Sequence, residues 1–253
     1  MGLWTEAHFY TIVPAFIVFF IIAALLRLWL GGKSERVRRI PLQIITVIIL
    51  LLEVGKQINS FSADGYNLYS LPFHYCSLFL YLLPLHSFYT GKYRKYTDTA
   101  ALGTLASLFL FMIIVPTVIY SDGNILGFFR DFGNFHTVAF HNLVSLYFLI
   151  TVALRLYDFE PKRDMRVLAV FLAVYVAVAT VLSMTLKVNF HNLLKCNLEP
   201  VENIRLMMID KIGRAGHAIY IIILFFLTIL FSYAAYFLTK LAVSLIEKRK
   251  KKA

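Results

Sequence analysis

The sequence predicts an all-α polytopic membrane protein with seven transmembrane helices, and three observations support this fold class. The chain of 253 residues is 60% hydrophobic and only 15% charged, whereas soluble domains are nearer a quarter charged. Its apolar residues fall into seven long runs, each close to the length that crosses a bilayer. Basic residues cluster at the ends of these runs. No connection is long enough for a separate soluble domain, so residues 1–253 are expected to form one integral membrane domain.

The expected elements follow the apolar runs. Membrane helices are predicted at about 9–30, 41–59, 71–89, 97–120, 135–156, 167–186 and 217–246. A further stretch, at about 200–213, has its apolar residues mostly on one helical face, which predicts a short interfacial helix on the outer surface. In the fourth run Gly103 and Ser107 are four residues apart, a spacing that favours close helix packing.

The basic residues predict the orientation of the chain. The first, third and fifth connections and the C-terminus, with the adjoining helix ends, carry 18 of the 25 lysines and arginines. Because cytoplasmic loops are enriched in these residues, we expect the N-terminus outside and the C-terminus in the cytoplasm. The first run is preceded by Glu6 and by no basic segment, so it is expected to be retained as a helix in a multi-pass protein of the cell membrane.

The net charge of +11 has the same explanation. Since the charges flank the membrane runs, they predict contact with anionic lipid head groups at the cytoplasmic face and not with nucleic acid. The two cysteines are too few for a disulfide framework.

The most unusual stretch is 70–78, which opens the third run with the sequence Ser-Leu-Pro-Phe-His-Tyr-Cys-Ser-Leu. It places His74 and then Cys76 in a segment expected to lie in lipid, where polar and reactive groups are costly and usually functional. On a helix these two residues are roughly 200° apart, so they face one point only if the first turn is distorted. Cys76 is therefore the better candidate for the reacting atom, with His74 as its neighbour.

Other polar residues are predicted at the same depth. Glu53 near the end of the second run and His141 in the fifth run lie roughly 9 Å below the outer boundary, and Cys76 roughly 6 Å below it. Glu53 and Gln57 share one helical face, as do Thr137 and His141. His136, His191 and His217 are expected nearer the surface, as residues that contact head groups.

This combination favours nucleophilic chemistry. A thiol reacts as the thiolate, which a nearby imidazole helps to form. Cys76, with His141 as base and Glu53 orienting the imidazolium, would form a Cys-His-acid relay. A thiol at the depth of the lipid esters suits the acyl ester of a phospholipid as substrate.

The stretch 71–78, preceded by Glu53 and Gln57, resembles the YwaF-like bacterial membrane proteins, which are related to the transmembrane protein 164 family of acyltransferases. The segment 140–143 is similar to that family's helix with a histidine before an apolar run. The segment from Asn189 to Pro200, followed by Gly213, is similar to a third family block. The resemblance implies transfer of a fatty acyl chain between phospholipids, with the cysteine as acyl carrier and a histidine as base. It carries these roles to Cys76 and His141.

The predicted site therefore has two parts. Cys76, His141 and Glu53 are the expected catalytic residues. The residues expected to contact membrane phospholipids as substrates are His74, Gln57, Thr137, Asn189 and His217.

Other functions remain open on sequence alone. The same residues would serve a membrane lipid acyl hydrolase. Glu53 and the buried histidines would also suit a transporter or proton-linked channel, although only His86 is expected in the inner half of the bilayer. A zinc site built from His74, Cys76, His136 and His141 has suitable ligand types but no tight spacing, so neither a metal nor another cofactor is expected.

Overall fold

The computed structural model of the protein describes residues 4–62 and 65–250, and every regular element in those two ranges is helical. Asp64 and positions 251 and 252 of the predicted basic tail lie outside the described residues. The eight longer helices are α1 (Glu6–Leu30), α2 (Ile40–Phe61), α3 (Phe79–Phe88), α4 (Arg94–Ile114), α5 (Phe132–Ala153), α6 (Pro161–Leu186), α7 (Glu199–Ile212) and α8 (Arg214–Lys250).

Five of these helices, α1, α4, α5, α6 and α8, are long and apolar enough to cross a membrane. The predicted class of helical multi-pass membrane protein is therefore confirmed. The apolar helix Cys76–Phe88 is shorter than the others and would rise only about 20 Å, against about 30 Å of hydrocarbon. The number of seven spans and the direction of the chain stay predictions.

The third predicted helix, 71–89, is wrong at its start. Leu71 has φ −57° and ψ 138°, the extended conformation that a following proline imposes. The chain then turns through residues 72–75 and a 3-10 turn at Cys76–Leu78, and α3 begins only at Phe79. His74 and Cys76 consequently do not lie on a regular α-helix, so the angular separation expected for a helix does not apply to them.

The other predicted helices agree with the structure to within six residues at each end. The largest differences have simple causes. Pro116 follows the end of α4 at Ile114 and begins a separate short helix, Pro116–Ile119. At the other difference, α6 begins at Pro161, because proline suits the first turn of a helix. As a result Asp164, expected in a loop, lies inside α6 and is buried.

The centre of the bundle is formed by α4 and α5. Helix α5 packs against α1, α2 and α4, while α4 also contacts α3, α6 and α8. Phe79, Leu105, Met112 and Tyr147 are fully buried among these helices. This arrangement places the end of α2 and the beginning of α5 at one end of the bundle, which we call the Cys76 end because the Cys76 turn lies there.

Small residues permit the close approach of α4 and α6, as their spacing predicted. A Cβ added to Gly103 would overlap the side chain of Leu168 on α6. Ser107, one turn later, is also buried. The two helices can pack this closely because position 103 has no side chain.

Replacing Gly103 by valine should lower the free energy of unfolding by about 1–3 kcal/mol, because the added atoms overfill a packed interface. Thermal unfolding of the purified protein in detergent measures the effect. Gly32→Ala is the matched control, since a Cβ at Gly32 meets no atom within 4 Å. Equal unfolding temperatures for the two variants would contradict the tight α4–α6 contact.

The predicted interfacial helix is α7, which leads into α8 through Gly213 with φ +60°. Ile204, Met207 and Ile212 on α7 are exposed. On its other side Glu202 accepts hydrogen bonds from Arg205 at 2.6 and 2.8 Å. The guanidinium of Arg205 holds the pKa of the Glu202 carboxyl below its usual value.

The same carboxylate fixes the loop before α7. Glu202 accepts the backbone N–H of Cys196 at 2.7 Å. Cys196 is therefore buried although it lies in a loop.

Candidate functional site

Lys56 is the charge around which the predicted site residues gather. Its ammonium group lies 2.8 Å from Glu53, one turn earlier on α2. The same charge acts on Cys76, His74 and His141. The structure thus brings the predicted thiol, both predicted imidazoles and the carboxylate into one electrostatic neighbourhood at the Cys76 end.

Cys76 is partly buried and packs against the main apolar core. Cys76 is the first residue of the 3-10 turn, and the next two residues, Ser77 and Leu78, are buried. Because the preceding segment is not helical, Glu53 and Lys56 act electrostatically on both His74 and Cys76. The first turn is thus distorted, which is the condition under which His74 and Cys76 can face one point.

Glu53 has three partners, and His141 is not one of them. Its Oε1 accepts a hydrogen bond from Gln57 at 2.6 Å and lies beside Lys56. Its Oε2 lies 3.4 Å from Nε2 of His136. The carboxylate therefore pairs with a lysine and with the other histidine of α5, and the relay expected from Glu53 to His141 is not formed.

His141 is oriented by the backbone of its own helix. Its Nδ1 lies 2.6 Å from the carbonyl oxygen of Thr137, so this nitrogen must donate a proton. In a neutral imidazole that assignment leaves the lone pair on Nε2. The ring is buried, with Tyr120 and Phe140 packed edge-on against it. His141 thus has the tautomer of a base with Nε2 as its accepting atom.

His74 has the opposite tautomer. Its Nε2 donates to the carbonyl oxygen of Tyr69 at 3.0 Å, which leaves the lone pair on Nδ1. The ring packs between Tyr69 and Phe190. No hydrogen bond joins the Cys76 thiol to an imidazole in the part of the chain that the structure describes. Each imidazole keeps one free lone pair, on Nε2 in His141 and on Nδ1 in His74.

His136 and His191, expected to be surface residues that contact head groups, are packed against protein side chains, and neither is exposed. His136 is buried beside Glu53. His191 stacks on Tyr75 and meets Tyr175 edge-on, and its Nε2 hydrogen-bonds Thr228 on α8 at 3.0 Å. Because Tyr75 lies between His74 and Cys76 in the chain, this stacking places His191 at the border of the candidate site.

The backbone at this histidine is unusual. His191 and Asn192 both have positive φ, 51° and 58°. Consecutive non-glycine residues in the left-handed region are uncommon and are often found at functional sites. Asn192 is held there by its carbonyl, which accepts the hydroxyl of Tyr220 at 2.6 Å.

Three of the residues predicted to contact substrate serve the scaffold. The amide of Gln57 donates to Glu53 and to the Ser70 carbonyl, and its oxygen accepts from Tyr66. Thr137 donates its hydroxyl to the Gly133 carbonyl while its own carbonyl holds His141.

Asn189 closes the loop after α6, because its side-chain oxygen accepts the backbone N–H groups of Leu194 and Lys195. The remaining predicted contact, His217, lies in the first turn of α8. Its neighbours are Tyr220, Arg205 and Glu202, so it borders the α7 surface.

A zinc site is not indicated. Among the described residues, no three histidine, cysteine, aspartate or glutamate side chains lie together in a way that could hold a metal ion. The ligand types of His74, Cys76, His136 and His141 are suitable, but their positions are not.

A model of the TMEM164 family matches residues 3–236. The chain belongs to the TMEM164 family. Neither a curated protein nor a solved structure matches it. The resemblance to the transmembrane protein 164 family is therefore confirmed.

All the candidate residues lie within the TMEM164 match, from Glu53 on α2 to His217 on α8. The match ends at Tyr236, before the basic end of the chain. Membership of the family supports the membrane location, while the chemistry has to be argued from the residues.

The main residue that sequence reasoning underrated is Lys56. A lysine three residues after a glutamate on a helix ordinarily indicates a local ion pair, and that pair exists. The signal for a role beyond that pair was the depth of Lys56, since a lysine this far inside a membrane run needs several partners. For His191 the sequence offered no signal, because its burial depends on α6 and α8 coming together around the loop.

Proposed function

We propose that this TMEM164-family protein is an integral-membrane acyltransferase that moves a fatty acyl chain between phospholipids through a thioester on Cys76. The observation that carries the proposal is that the Lys56 charge acts on the thiol and on two imidazoles, His74 and His141, that each keep a free lone pair. A positive charge and a base are what a thiol needs in order to react as a thiolate.

In the first step an imidazole takes the thiol proton, and the thiolate attacks the ester carbonyl of a phospholipid. The acyl C–O bond breaks, the thioester C–S bond forms, and the imidazolium returns its proton to the leaving lysophospholipid oxygen. We assign the base to His141, whose Nε2 is free because Thr137 accepts the proton of Nδ1.

In the second step the hydroxyl of another lysophospholipid gives its proton to the imidazole and attacks the thioester carbonyl. The new ester C–O bond forms, the C–S bond breaks, and the imidazolium returns its proton to the leaving thiolate, which restores the thiol. Lys56 would stabilise the thiolate and the developing oxyanion, and Glu53 would hold that lysine in place.

The membrane arrangement belongs to the same proposal. With seven spans, an outside N-terminus and a cytoplasmic C-terminus, the Cys76 end lies in the outer leaflet of the cell membrane. An apolar groove of about 390 Å³ between α6 and α8, lined by Val176, Ile221 and Phe225, would receive an acyl chain. It begins one residue from Tyr175, whose hydroxyl interacts with Cys76.

The experiment uses purified wild-type protein and phosphatidylcholine with a labelled acyl chain. After an acid quench the protein should carry label that neutral hydroxylamine releases. Addition of an unlabelled lysophospholipid should move the label into a new phospholipid. Absence of both the protein-bound label and the labelled product would contradict the proposal, and release of labelled fatty acid alone would identify an acyl hydrolase.

A proton-linked transporter has one observation in its favour. The opposite end of the bundle holds a second buried polar group, contrary to the expectation that His86 stands there alone. His86 Nδ1 is 2.7 Å from the hydroxyl of Tyr147, and Arg39 hydrogen-bonds the His86 carbonyl and Asp98. Proton flux into proteoliposomes under a pH gradient, with no acyl transfer in the labelled-lipid assay, would favour this alternative.

A further inference from the structure

Three arginines from separate parts of the chain meet at the end of the bundle opposite Cys76. Arg27 lies in the last turn of α1, Arg38 in the single turn Glu35–Arg38 before α2, and Arg155 just after α5. Like charges repel, so their approach needs an explanation. We refer to Arg27, Arg38 and Arg155 as the arginine site.

One hydrogen bond and two electrostatic interactions relate the three side chains. Arg38 donates from Nη1 to the carbonyl of Leu154 at 2.6 Å, which places it beside Arg155. The side chain of Arg27 folds over Gly31, where an added Cβ would lie 3.3 Å from its Cδ atom. The charges of Arg38 and Arg155 both act on the Arg27 guanidinium.

The site has more positive than negative charge. Among the described residues, the carboxylate that acts on Arg27 is that of Glu247, which also lies 3.5 Å from Arg155. That pair is weak, since both side chains are 44% exposed. Glu35, in the same turn as Arg38, and Asp98 are engaged by Arg39 and Arg94. Three guanidinium groups therefore share one weakly held carboxylate.

Two further features of the arginine site are unusual for a purely structural cluster. The Nε atom of Arg38 is buried and has no hydrogen-bond partner, although buried N–H groups are nearly always paired. Arg155 ends α5 with φ +54°, where Leu156 bonds back to Thr151 and Arg155 to Val152. Glycine is the usual residue at this position of a helix end, so an arginine here accepts backbone strain.

The surroundings place the site at the membrane boundary. Leu28 and Trp29, directly after Arg27, are 83% and 74% exposed on the bundle surface. Tryptophan is enriched where lipid tails meet head groups. The basic connections predict that this end of the bundle is cytoplasmic, where basic pockets between helices bind anionic head groups.

We infer that the arginine site binds the terminal phosphate monoester of an anionic lipid head group. Guanidinium groups match phosphate oxygens in pairs, and a monoester carries about −1.5 to −2 charge at neutral pH, which balances the excess of the site. The phenol of Tyr157, which interacts with Arg27, Arg155 and Glu247, lies at the same place. This inference does not depend on the proposed acyl transfer.

The test measures binding of a short-chain phosphatidic acid to the purified full-length protein. Wild-type protein should bind this lipid, and phosphatidylcholine of the same chain length should not compete. Arg27→Gln and Arg155→Gln should each weaken binding roughly tenfold or more, the effect of losing a charged hydrogen-bond donor. Arg36→Gln is the matched control, because Arg36 lies in the same turn as Arg38 but is exposed.

Arg155→Gly separates a loss of binding from a loss of folding. Glycine suits the left-handed backbone at this position, so the protein should unfold at the same or a higher temperature while binding is lost. Retention of wild-type affinity by Arg155→Gly and Arg27→Gln would overturn the inference. Competition by inorganic phosphate at the same concentrations as phosphatidic acid would overturn the assignment to a lipid.

Discussion

Replacing Cys76 by serine should abolish acyl transfer and remove the hydroxylamine-sensitive label from the protein. A serine hydroxyl is a much poorer nucleophile than a thiolate, and among the described residues no carboxylate hydrogen-bonds His141 to strengthen that base. We expect the rate of label transfer to fall roughly a thousandfold or more, as when other catalytic nucleophiles are replaced. The rate of labelled phospholipid formation measures the loss.

The other cysteine provides the control. Cys196→Ser also changes a buried thiol, but Cys196 lies near Glu202 and Tyr220 at the α7 loop and away from Lys56. This variant should transfer acyl chains at the wild-type rate. Both variants should unfold near the wild-type temperature, because serine nearly matches cysteine in volume. A Cys76→Ser protein that still transfers label at the wild-type rate would disprove the thioester mechanism.

The bounds of most helices in this fold could be predicted directly from the lengths of the apolar runs. Most helices of this chain are bounded by runs whose ends are marked by charges or prolines, so their bounds agree with expectation. The start of α3 was not predictable in the same way. Pro72 is compatible with a first helical turn, but the backbone before a proline is also driven to the extended form, and here the second effect dominates.

The candidate site shows the same division. Depth follows from counting residues along a helix, and Glu53, Cys76 and His141 do lie in one neighbourhood of Lys56. Pairing depends on how each helix is rotated against its neighbours, which no single sequence states. Glu53 therefore meets His136, five residues before the expected histidine and on another side of α5.

Buried polar groups near the opposite end were underestimated for a related reason. Charged residues in short connections are usually solvated and set the orientation of the chain. Asp164 lies in such a connection and Asp98 at the very start of the predicted fourth helix, yet both fall near the beginning of helices that pack into the bundle. Since burial of a connection is decided by tertiary packing, composition alone assigned these residues to the surface.

Asp164 is the residue whose loss should destabilise the protein most. Its side chain is only 1% exposed, and its Oδ1 accepts hydrogen bonds from Thr99 of α4 at 2.8 Å and from Arg163 at 2.9 Å. Its Oδ2 accepts from the backbone N–H of Glu160 at 2.8 Å and from the hydroxyl of Tyr236 on α8. One carboxylate thus ties α4, α6 and α8 together.

Replacing Asp164 by alanine should lower the free energy of unfolding by about 3–5 kcal/mol, the usual cost of removing one partner from a buried ion pair. The loss is large because the Thr99 and Tyr236 hydroxyls and the Arg163 guanidinium all lose an acceptor while remaining enclosed by three helices. Thermal unfolding in detergent, followed at several wavelengths, measures this change.

The control is Asp158→Asn, which removes another carboxylate that pairs with Arg163. Asp158 lies 3.3 Å from Arg163, but its side chain is 67% exposed, so its removal should cost less than about 1 kcal/mol. Comparable losses for the two variants would show that Asp164 acts as one more surface charge. A large loss for Asp164→Ala alone would mean that the α4–α6–α8 interface depends on this single buried carboxylate. Tyr175 on α6 and His191 in the following loop, which border the Cys76 turn, would then depend on it as well.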